Sequence, residues 1–467
     1  MSTRSLELHL AILASLLLFL ACSDSSAPPS AASPPGAIHR IEHVVIIMQE
    51  NRSFDSYFGT FPGADGIPMQ SGVPAVCLPD HELNSCVRPY HDSADENHGG
   101  PHGVRAASSD IDGGRMDGFI AQAESSMGTT CNAPGKPACS ANGPTDVMGY
   151  HDQREIPNYW AYAKNFVLQD QMFEPNASWS LPAHLFMVSE WSARCSQVGD
   201  PMSCTSEIGG PQSLGGPGPV GPPPNYAWTD LTYLLHKHNV RWKYYVAEGT
   251  QPDCDDDEMT CAPKPQSVGT PEIWNPLPFF TTVNQDNELR NIQTLDHYYA
   301  DIQAGTLPAV SWIVPNGKVS EHPSALVSTG QAYVTGLINA IMQSPLWSST
   351  AIFLAWDDWG GFYDHIIPPR VDRNGYGLRV PGLVISPYAK RGYIDHQTLS
   401  FDAYVKFIED DFLGSQRIDP KTDGRPDRRP TVRESVPLLG DLTQDFDFNQ
   451  APQPPLVLAG GVRPSPD

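Results

Sequence analysis

HVVIIMQENRSFDSYFG, residues 43–59, is the stretch whose reading decides the fold. Val44 to Met48 form an unbroken apolar run rich in β-branched residues, the composition of a strand buried on both faces in a parallel sheet. The run stops at Glu50 and Asn51, and polar turn residues follow. Open α/β sheets bind ligands beyond the carboxyl ends of their strands, so a carboxylate and an amide at this point mark a candidate site. Consecutive strand residues point to opposite faces, and Glu50 and Asn51 can share a site only if the strand has ended and the chain turns. Taken alone, the pair reads as a capped loop after a strand; segments further along the chain shift that balance.

The 467 residues suffice for one large α/β domain. The expected organisation is a signal peptide at 1–22, a Ser/Pro/Ala tether at 23–37, one folded domain at 38–440 and an acidic, Pro-rich tail at 441–467. Leu10 to Ala21 is an apolar run after Arg4, too short for a stable bilayer span and typical of a signal peptide. Its ending, Phe19-Leu20-Ala21-Cys22, resembles a bacterial lipobox, which would put a lipid anchor on Cys22. Ordinary cleavage with a free Cys22 is the alternative. Either outcome predicts an exported protein, whether secreted, periplasmic or tethered at the cell surface, and membrane contact only through the anchor.

A formal net charge of −24 opposes binding to nucleic acid and to anionic membranes. An anionic substrate would then need a local positive centre. Beyond Cys22, eight cysteines fall into four close pairs, 77/86, 131/139, 195/204 and 254/261. In an exported chain the simplest reading is four local disulfides that close surface loops. No CxxC pair occurs, which argues against a zinc ribbon or redox centre.

Residues 60–110 read as a long loop rich in Pro, Gly, His and Asp, with His81, His91, His98 and His102 beside Asp92, Asp95 and Glu96. GGRMDGFI, 113–120, reads as a turn into a helix, and 148–166 as a turn followed by an aromatic helix with Pro157 in its first turn. A short strand at Phe166 to Leu168 leads to a helix from Leu181 to Trp191. Ser180 stands at the start of that helix, where it is either a cap or a nucleophile helped by the helix amides; Ser178 is the competitor. CDDDEMTC, 254–261, reads as a solvated acidic loop. A strand near 310–315 ends in NGKVSEHPS, which carries Glu321 and His322, and Ala351 to Trp356 forms a strand that ends in Asp357 and Asp358. Two adjacent carboxylates repel unless a cation neutralises them. GLRVPGLVISPYAKRGY, 377–393, supplies another buried strand and 401–414 a helix.

These pieces taken together, IEHVVIIMQENRSFDSYFGTFPGADGI, GGRMDGF, the IPNYWAYAKNF region, SEHPS, WDDWGGFYDHIIPP and RVPGLVISPYAKRG, resemble the bacterial phosphoesterase family of secreted phospholipases C and acid phosphatases. The resemblance spans residues 41 to about 413. It implies an alkaline phosphatase-like three-layer α/β sandwich, with a mostly parallel central sheet, helices on both faces and long disulfide-closed loops. It implies that Glu50, Asn51, Asp357 and Asp358 hold one divalent metal ion and that Ser180 is the nucleophile. His98 and His322 are implied as catalytic groups near the phosphate, and His365 as a substrate-binding one. His184 stands where the family usually has Arg and Ala183 where it usually has Asn, so the phosphate contacts of this turn depart from the pattern; His184 is taken as substrate-binding. All-oxygen ligation favours Ca²⁺ or Mg²⁺, with Zn²⁺ on carboxylates as the alternative.

The implied function is hydrolysis of phosphate esters through a phosphoseryl intermediate. A phospholipase C-type phosphodiesterase acting on a phospholipid head group is favoured, because an exported, tethered protein meets lipids. An acid phosphatase and a non-catalytic phosphate-binding lipoprotein are the alternatives.

Overall fold

The computed structural model describes residues 37–81, 84–130 (127–130 as backbone only), 143–209, 224–253, 263–269 and 273–463. The signal, the tether, Cys22 and the cysteine pairs 131/139 and 254/261 lie outside the described residues. The other two pairs are disulfides, Cys77–Cys86 and Cys195–Cys204.

The core is an eight-stranded sheet. In chain order its strands are β1 (His43–Gln49), β2 (Val167–Gln169), β3 (Trp242–Val246), β4 (Ile292–Thr294), β5 (Val310–Val314), β6 (Thr350–Trp356), β7 (Gly382–Ile385) and β8 (Tyr393–Asp395). Their order across the sheet is β4-β3-β5-β1-β6-β7-β2-β8. Every neighbouring pair is parallel except the two that β7 makes, with β6 and with β2. The sheet is thus mostly parallel, with one reversed strand. Val44 to Met48 are fully buried at its centre, which explains a run with no polar alternation.

Helices cover both faces. Phe353 and Trp356 of β6 are three residues apart, so they point to opposite sides of the sheet. Phe353 stacks on Tyr404 of the helix Phe401–Phe412 at 4.9 Å, while Trp356 meets Tyr159 of the helix Pro157–Asn165 edge-on at 5.1 Å. Helix Ser180–Ser189 packs beside Phe401–Phe412 on the first side, and helix Val327–Met342 beside Pro157–Asn165 on the second. That is a three-layer α/β sandwich.

Two readings need correction. Residues 60–110 are not all loop: helix Val104–Ile111 packs with helix Phe119–Thr130 and with Leu78, Val147, Trp359 and Leu378 around a small second core. The first of these helices buries mainly Ala106 and Ala107, so apolar periodicity carries little of its signal. Ser180 is the first residue of its helix, with Trp179 at the cap position, rather than the cap itself.

Candidate active site

Strand register builds the site. Gln49 lies opposite Trp356 where β1 and β6 run in parallel, so Glu50 and Asp357 leave the sheet side by side. Asn51 has a φ of 51°, a left-handed conformation that asparagine tolerates better than most residues. That turn keeps Asn51 on the side to which Glu50 points. Its backbone N–H donates to Asp357 Oδ1 at 3.2 Å. Its side-chain amide bridges two groups: the nitrogen donates to Asp357 Oδ1 and Glu50 Oε2, both at 3.1 Å, and the oxygen accepts from His102 Nε2 and His322 Nε2, both at 3.2 Å. The opposite orientation would set the amide oxygen against two carboxylates.

Glu50, Asp357 and Asp358 are fully buried. Burial first, and then the neighbouring Asp357, push the Glu50 carboxyl well above the usual range. The same two causes raise Asp358. Asp358 is held by the N–H of Gly360, which donates to Oδ1 at 2.7 Å. Gly361 has a φ of 73°, and a Cβ there would lie 2.3 Å from the Cα of Gly100; the glycine is required by close approach as well as conformation.

The helix Ser180–Ser189 enters from one side with Ser180 in its first turn. Ser180 Oγ donates to Asp358 Oδ2 at 3.2 Å. Ser178, the competitor, instead donates its hydroxyl to the carbonyl of Ile208. One helical turn beyond Ser180, on the same face, His184 brings Nε2 to 3.7 Å from Glu50 Oε1 and 3.6 Å from Asp357 Oδ2. The Trp274 indole N–H donates to Glu50 Oε1.

Opposite the carboxylates stand two histidines joined by Asp253. His102 Nε2 is 3.1 Å from Asp253 Oδ2 and His322 Nε2 is 3.2 Å from Asp253 Oδ1. Their Nδ1 atoms face the carbonyls of Gly100 at 3.1 Å and Pro323 at 2.6 Å. All four ring nitrogens therefore face oxygens. Burial works against a charge on His102, but Asp358 and Asp253 outweigh it and hold its pKa well above the ordinary value. In an acidic chain this favours a positive charge on one buried imidazole beside the carboxylates.

The structure thus gathers Glu50, Asn51, Asp357, Asp358, Ser180, His184 and His322. The backbone N–H of His98 donates to Asp146 at 2.7 Å, while the histidine set against Asn51 and Asp253 is His102, four residues on. His365 pairs with Asp55 at 2.7 Å, in a network with Asp364 and the buried Arg379. Sequence reading missed His102, Asp253 and Trp274. His102 was one of four loop histidines with nothing to single it out, and Asp253 adjoins an acidic run that masks it. Glu321 was noted without a role. It is a buried anchor beneath His322 that accepts from Tyr57 Oη at 2.6 Å, from Trp356 Nε1 at 3.1 Å and from the Tyr159 hydroxyl.

A divalent cation suits this donor set. Among the described residues, one ligand atom each from Glu50, His184 and Asp357 lies within 4.8 Å of the others. Asp357 Oδ2 and both nitrogens of His184 are buried without a hydrogen-bond partner. Such atoms are costly unless something answers them.

The chain is 28% identical over 477 aligned positions to a non-hemolytic phospholipase C of Burkholderia pseudomallei, which covers 89% of this chain and 60% of that protein. It is 28% identical to phospholipase C A of Mycobacterium tuberculosis, covering 90% of this chain and 79% of that one. The chain therefore spans about 60% of the length of the Burkholderia relative. Among solved structures it is similar to a phosphonate monoester hydrolase from Silicibacter pomeroyi, with a TM-score of 0.34 and 10% identity over 61% of this chain and 72% of that one. A protein of the alkaline phosphatase superfamily from Vibrio parahaemolyticus gives a TM-score of 0.32 at 10% identity, over 55% of this chain and 60% of that one. The phosphoesterase family matches residues 41–413, an interval that runs from the start of β1 to the end of helix Phe401–Phe412 and contains every group gathered at the strand ends, so this chain is a member of the phosphoesterase family.

Proposed function

We propose that the protein is an exported, metal-dependent phosphodiesterase of phospholipase C type that cleaves phosphate esters through Ser180. One observation carries the reading: the Ser180 hydroxyl points at Asp358 and shares a buried site with the paired imidazoles of His102 and His322. That arrangement supplies a nucleophile, an acceptor for its proton and donors for phosphoryl oxygens.

Glu50, Asn51, Asp357 and Asp358 are the groups placed to hold the cation, with His184 beside them. A bound divalent cation would screen phosphoryl oxygens and acidify the serine hydroxyl. Ser180 Oγ attacks phosphorus while its proton passes to Asp358 Oδ2. The bond from phosphorus to the alcohol breaks, and a proton from His322 or His102 goes to the departing alkoxide. Water then attacks the phosphoseryl group and gives a proton to the histidine that lost one, while the departing Ser180 oxygen takes back the proton held by Asp358, which releases the phosphorylated head group and restores the hydroxyl. Export through the Leu10–Ala21 segment, with a tether at Cys22, would bring the site to lipids. Among the described residues no helix is long and apolar enough to cross a membrane.

The test is hydrolysis of p-nitrophenyl phosphorylcholine beside p-nitrophenyl phosphate, by the purified protein with and without chelator. Chelator-sensitive cleavage of the diester is expected, and Ser180→Ala should lose at least a thousandfold in kcat while melting within a few degrees of the parent. A preference for the monoester would reassign the chain to the acid phosphatases. Undiminished turnover in Ser180→Ala would sink the serine mechanism, and inactivity on both esters would favour a phosphate-binding lipoprotein.

A further inference from the structure

We infer that His184 is itself a ligand of the cation, giving a mixed nitrogen and oxygen set that selects a borderline transition metal such as Zn²⁺ over Ca²⁺ or Mg²⁺. This rests on the metal-dependent reading above and departs from the all-oxygen set that the sequence suggests.

Three observations bear on it. His184 Nε2 lies 3.7 and 3.6 Å from Glu50 Oε1 and Asp357 Oδ2, beyond the roughly 2.7–3.2 Å of a hydrogen bond. Two ligands bound about 2.1 Å from one tetrahedral ion lie about 3.4 Å apart. The spacing thus suits atoms that share an ion better than atoms that share a proton. The His102 and His322 pair provides the internal contrast, because its nitrogens sit 3.1 and 3.2 Å from Asp253, at hydrogen-bond length.

The second observation is the orphaned atoms. Neither nitrogen of His184 has a hydrogen-bond partner, and neither does Asp357 Oδ2, in side chains that are at most 1% exposed. The ring is buried beside carboxylates too far away to hydrogen-bond with it. A cation on Nε2 would answer that nitrogen and the free lone pair of Asp357 together. The third observation is that the ring is held in place: it meets Trp274 edge-on at 6.2 Å, and Trp274 donates to Glu50. The indole fixes both ligands without competing for His184 nitrogen.

Imidazole is a borderline ligand that suits zinc and its neighbours, whereas Ca²⁺ and Mg²⁺ take oxygen. The full chain would be stripped with chelator and titrated separately with Zn²⁺, Mn²⁺, Ca²⁺ and Mg²⁺ by calorimetry. It would also be loaded with Cu²⁺ for paramagnetic resonance, in which a ligating nitrogen splits the signal. Wild type should prefer Zn²⁺ to Ca²⁺ by at least a hundredfold. His184→Gln should lose most of that preference and the nitrogen splitting, while His322→Ala keeps both. If His184→Gln does not fold, His184→Ala serves the same comparison, and a melt of each apo variant shows which is folded. Zn²⁺ affinity within threefold of wild type in a folded variant, or splitting that survives it, overturns the inference. So does a wild type that prefers Ca²⁺ or binds no divalent ion, whatever its activity. Ligation through His184 in a protein inactive on both esters would uphold it and refute the catalytic reading alone.

Discussion

Asn51 shows how one backbone angle decides which side chains meet. An extended residue there would aim its amide across the sheet from Glu50, whereas its φ of 51° lets it bridge the carboxylates and the histidines. Glu321 does comparable work from below, as a buried carboxylate that answers two tyrosine hydroxyls and an indole. Glu321→Ala would leave those donors unanswered, and a loss of roughly 3 kcal/mol or more is expected from urea unfolding. Tyr57→Phe should cost only about 1 kcal/mol; equal effects would show that Glu321 matters by volume alone. At this scale the legible residues were those that interrupt an apolar run. Glu50, Asn51, Asp357 and Asp358 stand where buried strands stop, and Ser180 where a helix starts. His102 and Asp253 reach the site from loops, where position is set by tertiary contacts and leaves no period in the sequence.

Among the elements, the turn after β6 is the tightest. Gly361→Ala meets the backbone of Gly100, whereas Gly113, also at positive φ (64°), has open space around the added carbon. Gly113→Ala should therefore show only the conformational cost, about 1–2 kcal/mol, and Gly361→Ala at least twice that; comparable urea midpoints for the two would remove the close-packing account. His151, buried ahead of helix Pro157–Asn165, gives this region a pH dependence. Burial, aided by Arg52, lowers its pKa to about 4. Because the folded state holds that proton less tightly than the unfolded chain does, its contribution is complete above about pH 6.5 and is lost as pH falls toward 4, by about 3 kcal/mol in all. His151→Gln should flatten the stability profile across that window, and a variant with an unchanged slope would show that other groups dominate. The buried strands were legible as strands, but the reversed direction of β7 was not, since a strand covered on both faces has the same composition whichever way it runs.

For the whole molecule, the proposed cation would link site to stability. If it binds only the folded chain, an ion at a hundred times its dissociation constant adds about 2.7 kcal/mol. Chelation should then lower the melting temperature by several degrees, and re-addition should restore it. A melting temperature indifferent to chelator and metal would argue that the carboxylates are balanced by protons instead. The three-layer class and the family were legible because the motifs recur in order along the chain; the second core around Trp359 was not, because its members come from short stretches scattered between Leu78 and Leu378 with little apolar run in any of them. The register of the central strand has a further consequence, which concerns time. His43 lies opposite Thr350, so β1 waits for β6 while some 300 residues are added, roughly 15–60 s at 5–20 residues per second. Throughout that interval one of the most apolar segments of the chain has an open edge, and a nascent protein built this way depends on being kept apart from its neighbours until β6 has been made.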